Sequence, residues 1–323
     1  MPKANLIGLD TGYFAHSLTS KNNFPERIIN RQIFSDIRNF NEKELENIDC
    51  IVHLAALSND PMGKYFNNLT NEININASKR LFKLAIKHKI KKFVFASSCS
   101  VYGKSDNEII NENSKLAPLT AYSKSKIDFE NFMNDYNSSN TKVTSLRFAT
   151  ACGFSDRLRL DLVLNDFVAS AVIKKRIDIL SRGDQWRPLI DVEDMARAIH
   201  WGLIRKDLNN KLVINVGSNK WNFRIIELAN KVSKVIKNIN VNINKNAPID
   251  NRSYKVDFSL YKKLAPNYQP QKNIEMTVKN LLVGIRNMNL EKDFRNSNLI
   301  RLIMLDKLKT NKNLDSKLYW KIK

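Results

Sequence analysis

Short apolar runs alternate with amphipathic stretches through the first half of the chain, and this alternation restricts the fold more than any other feature. The runs read NLIGLD, QIF, CIVHLAAL, FVFASS and VTSLRF. Strands separated by helical patterns argue for a parallel sheet with crossover helices. Between the third and fourth runs, NEININASKRLFKLAIKHK places Ile73, Ala77, Leu81, Leu84 and Ala85 on one helix face and Lys79, Arg80, Lys83 and Lys87 on the other. That is the pattern of a helix docked on a sheet. The later half mixes shorter elements, with helices expected near residues 160–174, 192–203, 223–236 and 274–287 and a strand at KLVINVG.

The first run ends on a carboxylate, Asp10, followed by a turn at Thr11-Gly12. An acid at such a strand end holds the ribose of a dinucleotide, with a glycine-rich loop roughly 20 residues before it. Here nine residues precede Asp10, and no two of the 9 glycines lie three apart.

Composition excludes several classes. With 323 residues, 43% of them hydrophobic and 26% charged, the chain has the makeup of a folded protein large enough for two lobes. No apolar stretch approaches the roughly 18 residues of a membrane span, and the N-terminus has no signal pattern. A cytoplasmic location is expected. Cys50, Cys99 and Cys152 show no paired spacing, which fits reduced thiols rather than a disulfide framework or a zinc site. His53 lies on an apolar run and reads as a core or strand-end residue. The net charge of +21 raises the question of nucleic acid or anionic lipid. Lysines spread among many Asn and Ile, without a nucleic-acid-binding motif, point instead to a basic surface that attracts a phosphorylated substrate. From Met288 onward the chain is basic and polar around one apolar core, LIRLIMLDKL. Interrupted by Asp306, this short stretch suits packing on the body or on a second subunit better than lying on a membrane.

The segment AYSKSKIDFENF carries the chemistry. Tyr122 and Lys126 are four apart at a helix start, so ammonium and phenol share one face. The expected consequence is a lowered phenol pKa and a usable proton acceptor. Tyr268 with Lys272 and Tyr319 with Lys323 repeat the interval, but the first pair contains Pro270 and the second lies at the chain end. Only Tyr122 follows a strand ending in hydroxyls, Ser97, Ser98 and Ser100. Ligands of open parallel sheets bind beyond such carboxyl ends.

These motifs together resemble the extended short-chain dehydrogenase/reductase family, in its NAD-dependent sugar-nucleotide epimerase/dehydratase branch, from about Leu6 to Asn287. SDIRN resembles the adenine-contacting segment, implicating Asp36 and Ile37. VHLAALS resembles the strand end lying along the cofactor, implicating Leu54, Ala55 and Ala56. In ININAS, Asn74 takes the place of a cofactor-side Asn. SSCSVYG and AYSKSK supply Ser98, Tyr122 and Lys126 as the catalytic Ser, Tyr and Lys, with Tyr122 and Lys126 also touching cofactor. In LRFATACGF, Cys152 and Phe154 replace the usual Tyr and Pro. GDQWRPLIDVEDMARA implies that Arg187 faces the substrate diphosphate, and RSYKVDFS implies a clamp of Arg252 and Asp257 on phosphate and nucleoside.

The resemblance implies a Rossmann-like, doubly wound α/β fold that starts at the family's second strand, without the first strand, glycine loop and first helix. The expected division is a NAD-binding domain over 1–151 with 186–205 returning to it, a substrate lobe from 152–185 and 206–287, and a basic extension over 288–323. Asp10 implies NAD rather than NADP. Dehydratases of the branch carry an Asp-Glu pair where this chain has Cys99 and Ser100, so 4-epimerisation of a UDP-sugar ranks first. Keto-sugar reduction and a noncatalytic relative binding sugar nucleotide or a partner protein are the alternatives. A homodimer is implied, with no nucleic-acid partner and no metal.

Overall fold

The computed structural model describes residues 4–19, 24–137, 140–248 and 252–321. Every apolar run of the first half becomes a strand. In chain order these are β1 (Ile7–Asp10), β2 (Arg31–Phe34) and β3 (Cys50–His53), then helices α1 (Asp60–Tyr65), α2 (Asn67–Thr70) and α3 (Ser78–Lys87). Next come β4 (Lys92–Ser98), β5 (Lys104–Ile110), α4 (Ala121–Asp135), β6 (Lys142–Phe148), β7 (Thr150–Cys152), α5 (Val163–Lys174), β8 (Arg176–Ile179) and β9 (Trp186–Asp191). The remainder is α6 (Val192–Ile204), β10 (Lys211–Val216), β11 (Asn222–Arg224), α7 (Ile225–Val235), β12 (Asn240–Ile243), β13 (Ser253–Val256), α8 (Ser259–Leu264), α9 (Ile274–Arg286) and α10 (Arg301–Thr310).

The main sheet has the order β10-β6-β4-β3, all parallel, so crossover helices cover it as in doubly wound folds. Lys92–Ser98 and Lys142–Phe148 pair residue for residue, which brings Ser98 level with Phe148 at the carboxyl edge. β1 and β2 form a parallel pair separate from the main sheet. The helix before β4 buries Ile73, Ala77, Leu81, Phe82 and Ala85, while Lys79, Arg80, Lys83 and Lys87 stay outside that core. His53 is a core histidine: its Nε2 meets the Ser78 hydroxyl at 2.7 Å, its ring stacks on Phe95, and burial lowers its pKa to about 3.

A second core joins α5, α7 and α9 to β8, and includes Leu164, Val168, Leu228, Val232 and Leu281. Lys211–Val216, which the expected division assigns to the substrate lobe, extends the main sheet beside β6. Its Ile214 and Val216 are fully buried, so the apolar strand belongs where both faces are covered. The C-terminal segment packs on the body, as its apolar core suggests. Leu305, Leu314 and Leu318 enter the same core as α3 and β4. Among the described residues, no helix is long and apolar enough to cross a membrane.

Candidate active site

α4 starts where it does because Thr120 caps it. The Thr120 hydroxyl accepts from Ser123 N at 3.1 Å while the Ser123 hydroxyl accepts from Thr120 N at 3.1 Å, a closed capping box. Thr120 also donates to Asp60 at 2.7 Å, tying α4 to α1. The helices approach so closely that a Cβ on Gly63 would stand 3.0 Å from Tyr122 N. This contact sets the height of Tyr122 above the sheet.

Tyr122 stands close to Ser98 at the carboxyl end of β4, where the hydroxyl works to lower the phenol's pKa. One turn on, Lys126 is buried, with its ammonium donating to the Ala96 carbonyl at 2.8 Å and standing 5.5 Å from the Tyr122 ring centre. The expected direction of the phenol's pKa is reversed. Burial pushes Tyr122 up to about 12, and the opposing influences come from Ser98 and Arg159 rather than from Lys126. The lysine carries the matching cost, since burial brings it down to about 8 despite nearby Glu130. A hydroxyl, a phenol and an ammonium therefore converge at a strand end, each poised to gain from a polar ligand.

The proposed cofactor residues fall into two sets. Asp10 is exposed at the end of β1 and accepts from Gly12 N at 2.6 Å. Leu54 and Ala55 are exposed and Ala56 half-buried at the end of β3, an open surface. By contrast, Asn74 is buried and committed to protein: it accepts from Leu57 N at 2.8 Å and donates to Leu57 O and Ser125. It shapes the loop after β3. The Asp36 carboxylate is bound by Arg38 through Nε at 2.9 Å and Nη2 at 2.7 Å, and Ile37 lies in the core. A cavity of about 480 Å³ nevertheless opens beside Asp36, walled by Phe34, Tyr319 and Trp320. Its size lies within the usual range for small-molecule sites of roughly 300–1,000 Å³.

The substrate set divides as well. Arg187 donates to the Arg252 and Trp186 carbonyls and lies over the Tyr254 ring, while Arg252 pairs with Asp60 at 2.8 Å. The two arginines are thus neighbours beside α1. Asp257 sits at the other end of β13, on the order of 16 Å along an extended chain from Arg252. There it accepts from Ser259 at 2.7 Å and Asn219 at 2.8 Å, interactions that hold its pKa below the carboxylate norm against partial burial.

Sequence reasoning missed several supporting residues. Arg147 and Glu130 form a buried pair at 2.7 Å beneath the site, and Arg147 also donates to the Tyr102 hydroxyl at 3.0 Å. A charged residue inside the apolar run VTSLRF was the available signal. Arg159, held by Asp161 and Ser58, had none. Among the described residues, no cluster of His, Cys, Asp or Glu is arranged to hold a metal.

The model of the NAD dependent epimerase/dehydratase family matches residues 6–217. An uncharacterized UDP-glucose epimerase of Bacillus subtilis (strain 168) is 30% identical over 209 residues, which cover 61% of this chain and 64% of that protein. A UDP-glucose 4-epimerase of Dictyostelium discoideum is 34% identical over 122 residues, 34% of each chain. The matched part therefore spans less than two thirds of these relatives' own length. The solved UDP-glucuronic acid 4-epimerase of Bacillus cereus, in complex with NAD, superposes with a TM-score of 0.76 at 22% identity, covering 90% of this chain and 93% of that one. That likeness establishes the fold.

Proposed function

The chain belongs to the NAD dependent epimerase/dehydratase family, and from that membership we propose that it epimerises a nucleotide sugar with NAD, at C4 of a UDP-sugar, through a transient keto sugar. The observation that carries this reading is the meeting of Ser98, Tyr122 and Lys126 at the carboxyl end of β4. When bound, NAD supplies a hydride acceptor that later returns the hydride.

The chain's own groups handle the proton. Tyr122 takes it from the sugar hydroxyl and gives it back, while Ser98 donates a hydrogen bond to the same oxygen. Ser98 and Arg159 oppose the burial that keeps Tyr122 protonated, and Lys126, one turn on, places its ammonium on the cofactor side. Arg187 and Arg252 offer guanidinium donors to the diphosphate of the sugar nucleotide. Elimination of water has no acid or base at the two positions after Ser98. Cys99 is a buried thiol whose pKa burial raises, and it donates to the Arg147 carbonyl at 3.1 Å. Ser100 is a hydroxyl.

Incubating the protein with NAD and either UDP-glucose or UDP-glucuronic acid, and following the sugar ring protons by NMR, tests the proposal. The expected product is the C4 epimer without net accumulation of NADH. Failure to epimerise any nucleotide sugar, or turnover confined to keto sugars with NADH, overturns it.

A further inference from the structure

Asp60 is the first residue of α1, and each of its carboxylate oxygens is spent on a side chain from a distant part of the chain. Oδ1 accepts from the Thr120 hydroxyl at 2.7 Å, across 60 residues, and Oδ2 accepts from Arg252 Nη1 at 2.8 Å, across 192. An acid at a helix start commonly meets the helix's own N–H groups. This one links the cap of α4 to a cation on the substrate side. Its neighbours hold it in place: the Asn59 side chain accepts from Met62 N at 2.8 Å and donates to Asp161 at 2.6 Å, and the Ser58 hydroxyl accepts from Arg159 at 3.2 Å.

The bond to Thr120 does more than join two helices. A threonine hydroxyl has one proton, and Asp60 takes it, so the oxygen's lone pairs are left to accept from Ser123 N at 3.1 Å. The carboxylate thereby orients the cap that starts α4. Tyr122 follows Thr120 by two residues, and its backbone packs so closely on α1 that a Cβ on Gly63 would stand 3.0 Å from Tyr122 N. On the other side, Arg187 donates to the Arg252 carbonyl while Asp60 takes the Arg252 guanidinium, so main chain and side chain are both held. The Arg252 side chain is 42% exposed and that of Asp60 20%, which leaves the pair open to a ligand.

We propose that Asp60 is a positioning residue that sets the span between the diphosphate grip at Arg252 and the phenol of Tyr122. The assignment rests on the reading above, in which Arg252 binds the diphosphate of a nucleotide sugar. The sugar then lies between two groups referred to one carboxylate, and its reacting hydroxyl reaches Tyr122 only if that span is kept. Alignment of this kind is steep, since a misplacement of about 1 Å can cost on the order of 10² in rate. Affinity responds less. Without the Asp60 charge the guanidinium loses a support and also a competing anion, and the two effects oppose each other.

The test uses the 323-residue chain with its Asp60→Asn, Arg252→Ala and combined variants. Two readouts are taken: epimerisation kinetics with NAD and UDP-glucose or UDP-glucuronic acid, and hydrogen exchange of the amides from Thr120 to Lys126 with and without UDP. Asparagine can still accept the Thr120 proton, but it no longer pairs with Arg252. Asp60→Asn should therefore melt with the parent, bind UDP within about threefold of it, and lose about tenfold or more in kcat. In the Arg252→Ala background the same substitution should cost no further kcat, because the two residues act as one unit. UDP held by Arg252 firms Asp60 and the α4 cap, so it should slow exchange there in the parent and not in Asp60→Asn. A merely structural Asp60 predicts lower melting with kcat kept, and losses that multiply in the combined variant. Either of those results, equal protection by UDP in parent and Asp60→Asn, or no UDP binding by the parent overturns the inference. If UDP protects α4 through Asp60 but no nucleotide sugar is epimerised, the epimerase reading falls and the coupling stands.

Discussion

Lys126 follows Tyr122 by one helical turn, yet its ammonium donates to the Ala96 carbonyl at 2.8 Å and stands 5.5 Å from the Tyr122 ring centre. The backbone of β4 thus fixes the charge at a set depth below the ring. Tyr122 has its pKa raised to about 12 by burial in this state, so its value as a base depends on contacts that a bound substrate and cofactor add.

Tyr122→Phe should lower kcat by roughly 10²–10⁴, the usual contribution of a positioned acid-base group, while UDP-sugar affinity changes little. Steady-state kinetics and calorimetry on the variant check both parts. Turnover near the parent's would remove Tyr122 from the reaction.

Lys126 gives a stability signature with a definite sign. Burial brings its folded pKa to about 8 from an ordinary 10.5, so between those values the unfolded chain binds a proton that the folded one does not. Stability must therefore rise as pH increases through that window. Relative to Lys126→Met, the parent should gain up to about 3 kcal/mol from pH 8 to 10.5, read from urea melts. A flat difference would mean that the lysine titrates normally.

Arg252→Ala and Arg187→Ala should both weaken UDP-sugar binding by about tenfold or more, with NAD affinity unchanged. Stability separates them. Arg252 pairs with Asp60 through a side chain that is 42% exposed, so its loss should cost no more than about 1 kcal/mol. Arg187 bridges two backbone carbonyls and covers Tyr254, and its replacement should destabilise more. Equal loss of NAD and UDP-sugar binding would show that neither residue serves the substrate side.

What the sequence disclosed follows the range of the forces involved. The strands ending at Asp10, His53, Ser98 and Phe148 were legible because each is a continuous apolar run between turns. Tyr122 and Lys126 were legible because one helix sets their spacing. Their rivals are spent elsewhere: Tyr268 ends a short 3-10 turn against His200, and Tyr319 lies under Arg38, with Lys323 outside the described residues. β5 was not legible, since KSDNEII is polar and becomes a strand through pairing with β13, far along the chain. The bond from Arg301 on α10 to the Arg157 carbonyl was illegible for the same reason, since the two residues are 144 apart and no local pattern marks such a contact.

The pair beneath the site offers the sharpest test of how the reacting residues are held. Arg147 on β6 binds Glu130 on α4 through Nε and Nη2, at 3.1 and 2.7 Å, with 6% and 2% of their side chains exposed. Because Glu130 lies one turn beyond Lys126, the pair locks the helix bearing Tyr122 to the main sheet. Removing one partner strands a buried charge, whereas removing both restores an apolar interface. Arg147→Met should therefore cost about 3–5 kcal/mol in urea unfolding, while Arg147→Met combined with Glu130→Met should recover most of that loss. Activity should not return with stability, since the methionines no longer hold α4 by directed bonds. Additive losses in the double variant would show that the two charges act independently, and that something other than this pair holds α4 on the sheet.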